Sequence, residues 1–509
     1  MGPLIATETE LKLAARTGDL PALRRALEAM AGGHGVSRAR LISTYYDTPD
    51  RALARRGSSL RVRRHGRRFV QTVKAAGEVG ELARGEWEDS VAGECPDPQA
   101  AQTGPFLSPE IAGQLRPLFR TEVSRTTIPL APEPATRIEA AVDRGRIRNG
   151  DNTPPARISE VELELKSGTP AALYDVALQL LHVAPLRLEP RSKAERGYRL
   201  SEHEDDRTKA VHATTLDLHC GLSAEVALQR IGRACFDHML RNENAALAGD
   251  PEGIHQMRVA VRRLRAILSA FAPLLPSEQR RWASAELRWF ADILGEIRNF
   301  DVFSSALLRP ARAALSPSTE LEPLAQAVAR RRRAAHKEVV KAISSTRYTE
   351  ATLALLRWFD GQEWRQDGGD ASLDQPIEEI APLLLDRCLK KAEKRSKGFA
   401  EQSAKKRHRL RIALKKLRYA TELLGSLYDP GETRQFVHRL KRLQDDLGDI
   451  NDVRTGRGIV RSLIRPGVRS TGIASAGHRL LAWHKHRLSR NEHRLRHHLK
   501  ELLSAPRFW

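Results

Sequence analysis

The chain has few cysteines, few aromatic residues and no long apolar run. Its four cysteines, Cys95, Cys220, Cys235 and Cys388, form no C-x-x-C pair, which argues against a zinc site or a disulfide framework. No apolar stretch reaches the roughly 18 residues that a membrane-spanning helix needs. The N-terminus lacks a basic stretch followed by an apolar one, so we expect a cytoplasmic protein rather than a secreted one.

Two further absences concern chemistry. The sequence contains no glycine-rich phosphate-binding loop, so ATP would not be held in the usual way. No Ser-His-Asp or Cys-His nucleophile is evident either. Aromatic residues make up only 5% of the chain, which argues against binding of single-stranded nucleic acid by base stacking.

The net charge of +22 is unevenly distributed along the 509 residues. Residues 1–200 carry 30 Lys and Arg against 25 Asp and Glu, whereas residues 201–509 carry 55 against 38. Most of the excess positive charge therefore lies in the second part, which predicts a polyanionic partner there, either nucleic acid or a phosphate polymer.

The first 200 residues contain short segments of alternating polarity that are separated by Gly, Pro or Asn, a pattern typical of β-strands. In the first of these segments, Glu8, Glu10 and Lys12 fall on one face, because side chains alternate along a strand. The two carboxylates could hold a divalent cation and the lysine its anion. The alternative is a solvated edge strand.

The polar faces of the later strands are nearly uniform in sign. Arg61 and Arg63 share one strand, and Glu160 and Glu162 share another. If cationic and acidic strands face each other across a closed sheet, they surround a polar lumen in which an anion and a metal ion could meet. The alternative is a solvated sheet face.

These motifs resemble the CYTH family, the triphosphate tunnel metalloenzymes. The resemblance begins with Glu8-Thr9-Glu10-Leu11-Lys12 and covers about residues 4–200. The later segments match that family's strands in the same order, namely Leu60-Arg61-Val62-Arg63, Thr72-Val73-Lys74, Asp143-Arg144-Gly145, Glu160-Val161-Glu162 and Ser192-Lys193-Ala194-Glu195-Arg196-Gly197-Tyr198.

The resemblance implies an eight-stranded antiparallel tunnel that cleaves triphosphate compounds with Mg²⁺ or Mn²⁺. The implied metal ligands are Glu8, Glu10, Asp143, Glu160 and Glu162, with Glu164 as a further candidate. The implied phosphate-binding residues are Arg61, Arg63, Lys74, Arg125 and Lys193. The residues expected to act in catalysis are Glu8, Glu10 and Lys12. Glu86 and Glu88 either line the tunnel or are solvated.

The second part of the chain contains an internal repeat. Residues 255–265 recur as residues 408–418, and Leu294-Gly295 recurs as Leu447-Gly448, both with an offset of 153. Within each copy, apolar residues step by three and four, as in a helix-bundle seam. A basic stripe lies one position away, which is about 100° around a helix. A solvated face normally alternates in charge sign, and these stripes do not.

This repeat resembles the CHAD domain, a family of helical domains with conserved histidines, over about residues 216–500. The resemblance implies two four-helix bundles related by pseudo-two-fold symmetry, with a basic channel that binds inorganic polyphosphate. The implied polyphosphate-binding residues are His255, Arg258, Arg262, Arg265, His408, Arg411, Lys415 and Arg418.

Together, these observations predict a multidomain α+β chain with a β-tunnel, flanking helices and an all-α domain of two repeated four-helix bundles. We expect metal-dependent hydrolysis of inorganic triphosphate or short polyphosphate, with polyphosphate binding by the helical domain. The alternatives are a non-catalytic polyphosphate-binding or granule-targeting protein, and a thiamine-triphosphatase or adenylate-cyclase-like tunnel. A cytoplasmic location, with association to polyphosphate granules, follows from this prediction. The expected ranges are 1–202 for the tunnel, 203–215 for the linker and 216–505 for the helical domain, with halves at about 216–365 and 376–505.

Overall fold

The computed structural model describes residues 6–32, 35–75, 83–150, 153–202, 209–315, 318–366, 368, 370–464, 471–488 and 492–509. The chain forms two compact units. The first comprises residues 1–209 together with residues 344–363, and the second comprises residues 210–343 and 364–509.

The first unit is built on one antiparallel sheet that closes on itself. In the sheet the strands follow the order β5-β4-β3-β2-β6-β7-β8-β1, and pairing of β1 with β5 completes the ring. The short ninth strand pairs with the end of β1 beside the ring. The predicted tunnel of eight strands is thus present, with one more strand attached. The strands are β1 (Ala6–Ala15), β2 (Ser37–Asp47), β3 (Ser58–His65), β4 (Arg68–Ala75), β5 (Ala83–Val91), β6 (Arg116–Leu130), β7 (Arg137–Asn149), β8 (Ala156–Ser167) and β9 (Leu186–Leu188).

Alternation along β3 separates an apolar outer face from a charged inner face. On β3, Leu60 and Val62 are buried in a core cluster that includes Leu53 and Ile111 from two short helices outside the sheet. Arg61 and Arg63 have the opposite parity and therefore point to the other face. The cationic and acidic side chains that alternate along the strands therefore line a charged tunnel interior.

Helices cover the sheet and make up the second unit. In chain order they are α1 (Leu20–Met30), α2 (Ala52–Arg55), α3 (Pro109–Ala112), α4 (Ala171–Leu181), α5 (Lys193–Ser201), α6 (Ala224–Arg241), α7 (Glu243–Leu247), α8 (Pro251–Ala270), α9 (Ser277–Val302), α10 (Arg309–Ala314), α11 (Glu322–Ile343), α12 (Thr346–Asp360), α13 (Ile377–Ser396), α14 (Ala404–Leu424), α15 (Pro430–Leu463), α16 (Thr471–Leu488) and α17 (Glu492–Leu503). None of these helices, within the ranges the structure describes, is long and apolar enough to cross a membrane.

The repeat seen in the sequence is a repeat of helices. The starts of α6 and α13, at residues 224 and 377, differ by 153, and so do those of α8 and α14, at 251 and 404. The starts of α9 and α15, at 277 and 430, show the same offset. The predicted apolar seam is buried in both copies, as Met257, Leu264, Leu410 and Leu417 illustrate. The finer arrangement as two four-helix bundles stays a prediction.

One helix within the predicted helical range packs with the first unit. Helix α12 lies against α4, where the hydroxyl of Tyr174 donates a hydrogen bond to Asp360. Thr349 Oγ1 donates to the carbonyl of Leu186 in β9 at 2.8 Å. The tunnel unit is thus completed by a segment that lies far along the chain, between two helices of the second unit. The predicted domain bounds themselves stay a prediction.

Candidate active site and anion-binding pocket

A capped helix brings two cations to one end of the tunnel. Ser192 accepts a hydrogen bond from the backbone N–H of Glu195, and the Glu195 carboxylate accepts one from the N–H of Ser192, which forms a capping box. This cap fixes the start of α5 at Lys193. Arg196 follows three residues later and therefore lies on the same helix face as Lys193.

Three carboxylates form a compact acidic group on β7 and β8. Asp143 pairs in register with Glu160, and Glu162 follows on the same face of β8. Asp143 and Glu160 are fully buried, and the side chain of Glu162 is 12% exposed. One oxygen from each of the three lies within 4.8 Å of the others.

Lysine and arginine side chains neutralise this acidic group. Lys193 Nζ lies 2.7 Å from Asp143 Oδ2, 2.6 Å from Glu160 Oε1 and 2.8 Å from Glu162 Oε1. Arg125 donates to Asp143 through Nε at 2.8 Å and through Nη2 at 2.6 Å, and it also contacts Glu162. Arg196 Nη1 donates to Glu160 Oε2 at 2.8 Å. Three buried anions therefore face three cations.

The charges of the cluster shift the pKa values of Glu162 and Lys193 in opposite directions. Burial alone would raise the pKa of Glu162, but Lys193, Arg125 and Lys12 hold that pKa well below its usual range. Burial alone would lower the pKa of Lys193, but Glu162, Glu160 and Asp143 outweigh it and raise that pKa. These opposite shifts favour the charged forms of both Glu162 and Lys193.

The geometry of the acidic group fits a divalent cation. Carboxylate oxygens are the ligands that Mg²⁺ and Mn²⁺ prefer, and three oxygens within 4.8 Å of one another are close enough for small side-chain adjustments to bring them around one ion. Glu160 Oε1 is buried and makes no hydrogen bond of normal geometry, although Lys193 Nζ lies close to it. A cation at this position would replace the ammonium of Lys193.

The first motif contributes two carboxylates, Glu8 and Glu10. Among the described side chains, Glu10 is not part of the acidic group. Glu10 contacts the ammonium of Lys12 and lies in register with Glu164, while Lys12 lies in register with Glu162. The backbone of Glu8 pairs with Arg84, and the Glu8 side chain falls outside the described part of the structure. Their predicted roles stay predictions.

A second charged layer lies on β3, β4 and β5. Arg61 Nη2 lies 3.5 Å from Glu86 Oε1, and Lys74 Nζ lies 3.3 Å from the same oxygen. Arg63 Nε donates to Ser43 Oγ at 3.3 Å. Burial, helped by the charges of Arg61 and Arg125, lowers the pKa of Arg63 to about 10. The predicted phosphate-binding cations of β3 and β6 therefore repel one another, and a bound anion would relieve that repulsion.

The sequence reasoning missed Arg196, whose contact with Glu160 makes it a member of the cluster. Its signal was available, because a cation three residues after a helix-starting lysine points to the same side. Glu86 was left undecided between lining the tunnel and being solvated. Its side chain is 20% exposed and contacts two of the predicted phosphate-binding residues, so it lies within the charged interior.

The second unit contains a basic cavity of about 530 Å³. Seven of the eight predicted polyphosphate-binding residues line it, together with Arg298 and Lys416, which were not predicted. The predicted residues at the cavity are His255, Arg258, Arg262, Arg265, His408, Arg411 and Lys415. The eighth, Arg418, instead lies 3.8 Å from Glu422 and stacks over the ring of Tyr419.

Crowding of like charges perturbs the cations of this cavity. Burial and the neighbouring arginines Arg262, Arg411 and Arg258 lower the pKa of Lys415 to about 6. Burial and Arg262 lower the pKa of Arg258 to about 9. Burial and Arg298 lower the pKa of His255 to about 4. Such an arrangement is unfavourable when empty and becomes favourable when an anion binds.

The chain combines two kinds of domain. The first is a closed antiparallel sheet with a charged interior, and the second is a duplicated helical unit with a basic cavity. The sequence profiles of two known domain families match these two parts of the chain. The CYTH domain profile matches residues 6–198, and the CHAD domain profile matches residues 230–461. The chain thus contains a CYTH domain followed by a CHAD domain.

Individual relatives match only part of the chain. An inorganic triphosphatase of Haemophilus influenzae is 33% identical over 165 residues, which are 32% of this chain and 46% of that protein. A protein of Mycobacterium tuberculosis described as uncharacterized is 27% identical over 202 residues, 37% of each chain. The chain thus spans less than half the length of these curated relatives.

A solved structure agrees with the helical part. The crystal structure of the CHAD domain from the plant Ricinus communis superposes on this chain with a TM-score of 0.51 and 27% identity. The match covers 59% of this chain and 98% of the plant chain.

Proposed function

We propose that the tunnel unit is a metal-dependent triphosphatase that hydrolyses inorganic triphosphate or short polyphosphate, and that the helical unit binds inorganic polyphosphate. The observation that carries the first part is the buried acidic group of Asp143, Glu160 and Glu162, set among phosphate-type cations inside a closed sheet. The similarity of 165 residues of the chain to an inorganic triphosphatase, at 33% identity, supports the same conclusion.

The acidic group would hold Mg²⁺ or Mn²⁺, with Glu8 and Glu10 as the other predicted ligands. A bound divalent ion supplies neutralisation of phosphate charge and an activated water for attack on phosphorus. Neutral side chains at these positions would provide neither hard anionic ligands nor charge balance.

The cations of the tunnel bind and orient the phosphate chain. Arg61, Arg63 and Arg125 offer planar guanidinium groups that match phosphate oxygens in pairs. Lys74, Lys12 and Lys193 add compact charges. Because these groups are held by β-strands and a capped helix, their positions do not have to reorganise as charge shifts to the departing oxygen. Lys193 has a further role, since it must leave the acidic group when a metal ion enters.

The helical unit is proposed to bind polyphosphate through the basic cavity. Its lining combines residues from both copies of the repeat, with Arg258 and Arg262 on α8 facing Arg411 and Lys415 on α14. A polyanion of closely spaced charges relieves their mutual repulsion, whereas a single small anion neutralises only part of it.

The decisive experiment measures phosphate release from tripolyphosphate, thiamine triphosphate, ATP and long-chain polyphosphate, each with Mg²⁺ or Mn²⁺. We expect release from tripolyphosphate that requires the metal, and a roughly hundredfold lower rate for Glu162→Gln. The matched control is Glu122→Gln on β6, a carboxylate that pairs with Arg146 on the outer face of the sheet. Absence of metal-dependent release from every compound would rule out the enzyme.

The position of Lys193 favours a second candidate function, a tunnel that binds phosphate chains without cleaving them. The ammonium lies 2.6 to 2.8 Å from the three carboxylates and, together with Arg125 and Arg196, already balances their charge, so charge balance alone does not require a metal. Under this alternative, tripolyphosphate binds the wild-type protein with equal affinity in the presence of a chelator, and no phosphate is released.

A further inference from the structure

The two copies of the helical repeat differ sharply on one pair of equivalent faces. We define the outer basic face by six cationic residues of α13 and α14, namely Lys390, Lys391, Lys394, Arg395, Lys405 and Arg409. The offset of 153 relates them to six residues of α6 and α8, namely Asp237, His238, Arg241, Asn242, Glu252 and Gln256. The first set carries six positive charges, whereas the second carries one positive and two negative charges.

In the first copy, three of these positions are covered by an extended segment of the chain itself. The carbonyl of Val211 accepts hydrogen bonds from His238 Nε2 at 3.1 Å and from Asn242 Nδ2 at 2.8 Å. The N–H of Val211 donates to Asn242 Oδ1 at 2.9 Å, and His212 Nδ1 lies 3.0 Å from Gln256 Nε2. His238, Asn242 and Gln256 are consequently buried.

In the second copy, the equivalent positions are open to solvent. Lys390, Lys391, Lys394, Lys405 and Arg409 are exposed, and Arg395 is half-buried, with Nη1 donating to the carbonyl of Arg409 at 2.9 Å. Residues 387–418 carry 14 Lys and Arg against 2 Asp and Glu, a net charge of +12. The equivalent residues 234–265 carry 5 against 4, a net charge of +1. Residues 387–418, which include both this face and the cavity residues Arg411, Lys415 and Lys416, thus carry more than half of the net charge of the chain.

The outer basic face is electrostatically continuous with the basic cavity. Lys416 lines the cavity, and its ammonium donates to Ser269 Oγ at 2.9 Å. Burial, together with Lys391, Arg265 and Arg395, lowers the pKa of Lys416 to about 8. Lys416 is therefore influenced both by Arg265 of the cavity and by two residues of the outer basic face.

We propose that the outer basic face binds the part of a long polyphosphate chain that extends out of the cavity past Lys416. The bound polymer would run along α13 and α14 as the segment at Val211 runs along α6 and α8. This proposal rests on the proposed polyphosphate binding by the cavity. The proposal adds a second binding site, which only polyphosphate chains longer than the cavity can reach. A linear polymer with one charge per phosphate suits this face, because its six cations lie on two helices that pack against each other.

The test compares short and long polymers on three variants of the full chain. The outer variant is Lys390→Gln/Lys391→Gln/Lys394→Gln, and the cavity variant is His408→Ala/Arg411→Ala. The matched control is Arg330→Gln/Arg331→Gln/Arg333→Gln, which removes three exposed charges from α11. Because the exchanged lysines are exposed on a helix and Gln has a similar helix propensity, circular dichroism should show unchanged folding.

We expect the outer variant to bind long-chain polyphosphate roughly tenfold more weakly and with a reduced salt dependence, while its affinity for tripolyphosphate stays within about twofold of wild type. The control should change neither affinity by more than about twofold. Equal weakening by the control would show a non-specific charge effect and overturn the proposal.

Two further outcomes separate this proposal from the one on which it rests. If long-chain affinity falls in the cavity variant but is unchanged in the outer variant, the outer site is disproved and the proposed function stands. If neither polymer binds the wild-type protein, the proposed function itself fails. Single-stranded DNA that displaces long-chain polyphosphate from wild type, but binds the outer variant poorly, would reassign the face to nucleic acid.

Discussion

Lys193 is central to the charge balance of the tunnel interior. Its ammonium contacts all three carboxylates of the acidic group, so a metal ion bound there, as we propose, would compete with it for the same position. The same residue is expected to contact phosphate when substrate is present. Lys193 would then exchange the carboxylates of the acidic group for the phosphate of the substrate.

Replacing Lys193 by methionine should destabilise the protein and increase its response to metal. Three buried carboxylates would remain with Arg125 and Arg196, and loss of one partner of a buried ion pair costs about 3 kcal/mol. Mn²⁺ should therefore raise the thermal unfolding temperature more for Lys193→Met than for wild type. The control is Lys166→Met, a half-exposed lysine that contacts Glu164. An equal response to Mn²⁺ in all three proteins would contradict metal binding at the acidic group.

Lys415 should make polyphosphate binding depend on pH. The groups that face it are Arg411 and Arg418 on its own helix, Arg258 and Arg262 on α8, and Asp452 on α15. With a pKa of about 6, the free lysine is mostly neutral at pH 7, and a bound polyanion raises that pKa towards its ordinary value. Binding therefore takes up a proton, and affinity is greatest below pH 6 and decreases as pH rises above it.

Calorimetry measures this uptake directly. Titrations of polyphosphate at pH 7 in buffers of different ionisation enthalpy should show close to one proton bound by wild type and markedly less by Lys415→Met. No difference between buffers for wild type would refute the linkage.

At the scale of elements, helix α5 is held close to the sheet by a glycine. A Cβ atom on Gly197 would lie 2.0 Å from the ring of Phe119 on β6, which is far too close. Phe119 also stacks on Tyr45 with ring centroids 4.6 Å apart, so the ring has little room to move. The position of Lys193 and Arg196 thus depends on a residue that carries no charge.

Gly197→Ala should therefore move α5 away from β6 and weaken the acidic group. We expect a loss of about 1 to 3 kcal/mol in unfolding free energy, typical of overpacking, and reduced phosphate release with a higher KM. Gly150→Ala is the control, because a Cβ at Gly150 meets no atom within 4 Å. Equal stability of the two variants, measured by chemical denaturation, would show that α5 has room to adjust.

At the scale of the whole molecule, the chain returns to the tunnel unit after more than 130 residues of helical unit. Helix α12 contributes Thr349, Arg357 and Asp360 to contacts with α4 and β9, and Arg357 Nε donates to Asp175 Oδ1 at 2.7 Å. The tunnel unit therefore depends for its completion on a segment that is connected at both ends to the second unit.

This dependence predicts different effects of two threonine substitutions on α12. Thr349→Val removes a buried hydrogen bond to Leu186 and leaves that carbonyl unsatisfied, which costs about 1 to 2 kcal/mol. Thr352→Val removes only a bond to Tyr348 of the same helix, and it should cost a few tenths. Hydrogen exchange of amides in α4 and β9 should accelerate for Thr349→Val and not for Thr352→Val. Similar exchange in the two variants would argue against a stabilising role of α12.

Much of the architecture could be predicted from the sequence. Alternation of charge on the strands and the offset of 153 between helices are local patterns, and local patterns fix which face of an element is apolar. A closed sheet with a polar lumen and the helical repeat follow from them, and seven of the eight residues predicted from the basic stripes line the cavity. Arg418 was the exception, since a position on the correct stripe does not exclude pairing with a neighbour such as Glu422.

The contacts between distant residues were decided only by the tertiary structure. Strand register brings Asp143 beside Glu160, and the capping of α5 places Lys193 among their carboxylates, neither of which a pattern of residue types specifies. The packing of α12 with the tunnel unit and the contrast between the covered and exposed faces of the repeat are likewise invisible in one sequence. The physical reason is that periodicity records the direction of each side chain, whereas contacts depend on which elements meet and at what distance.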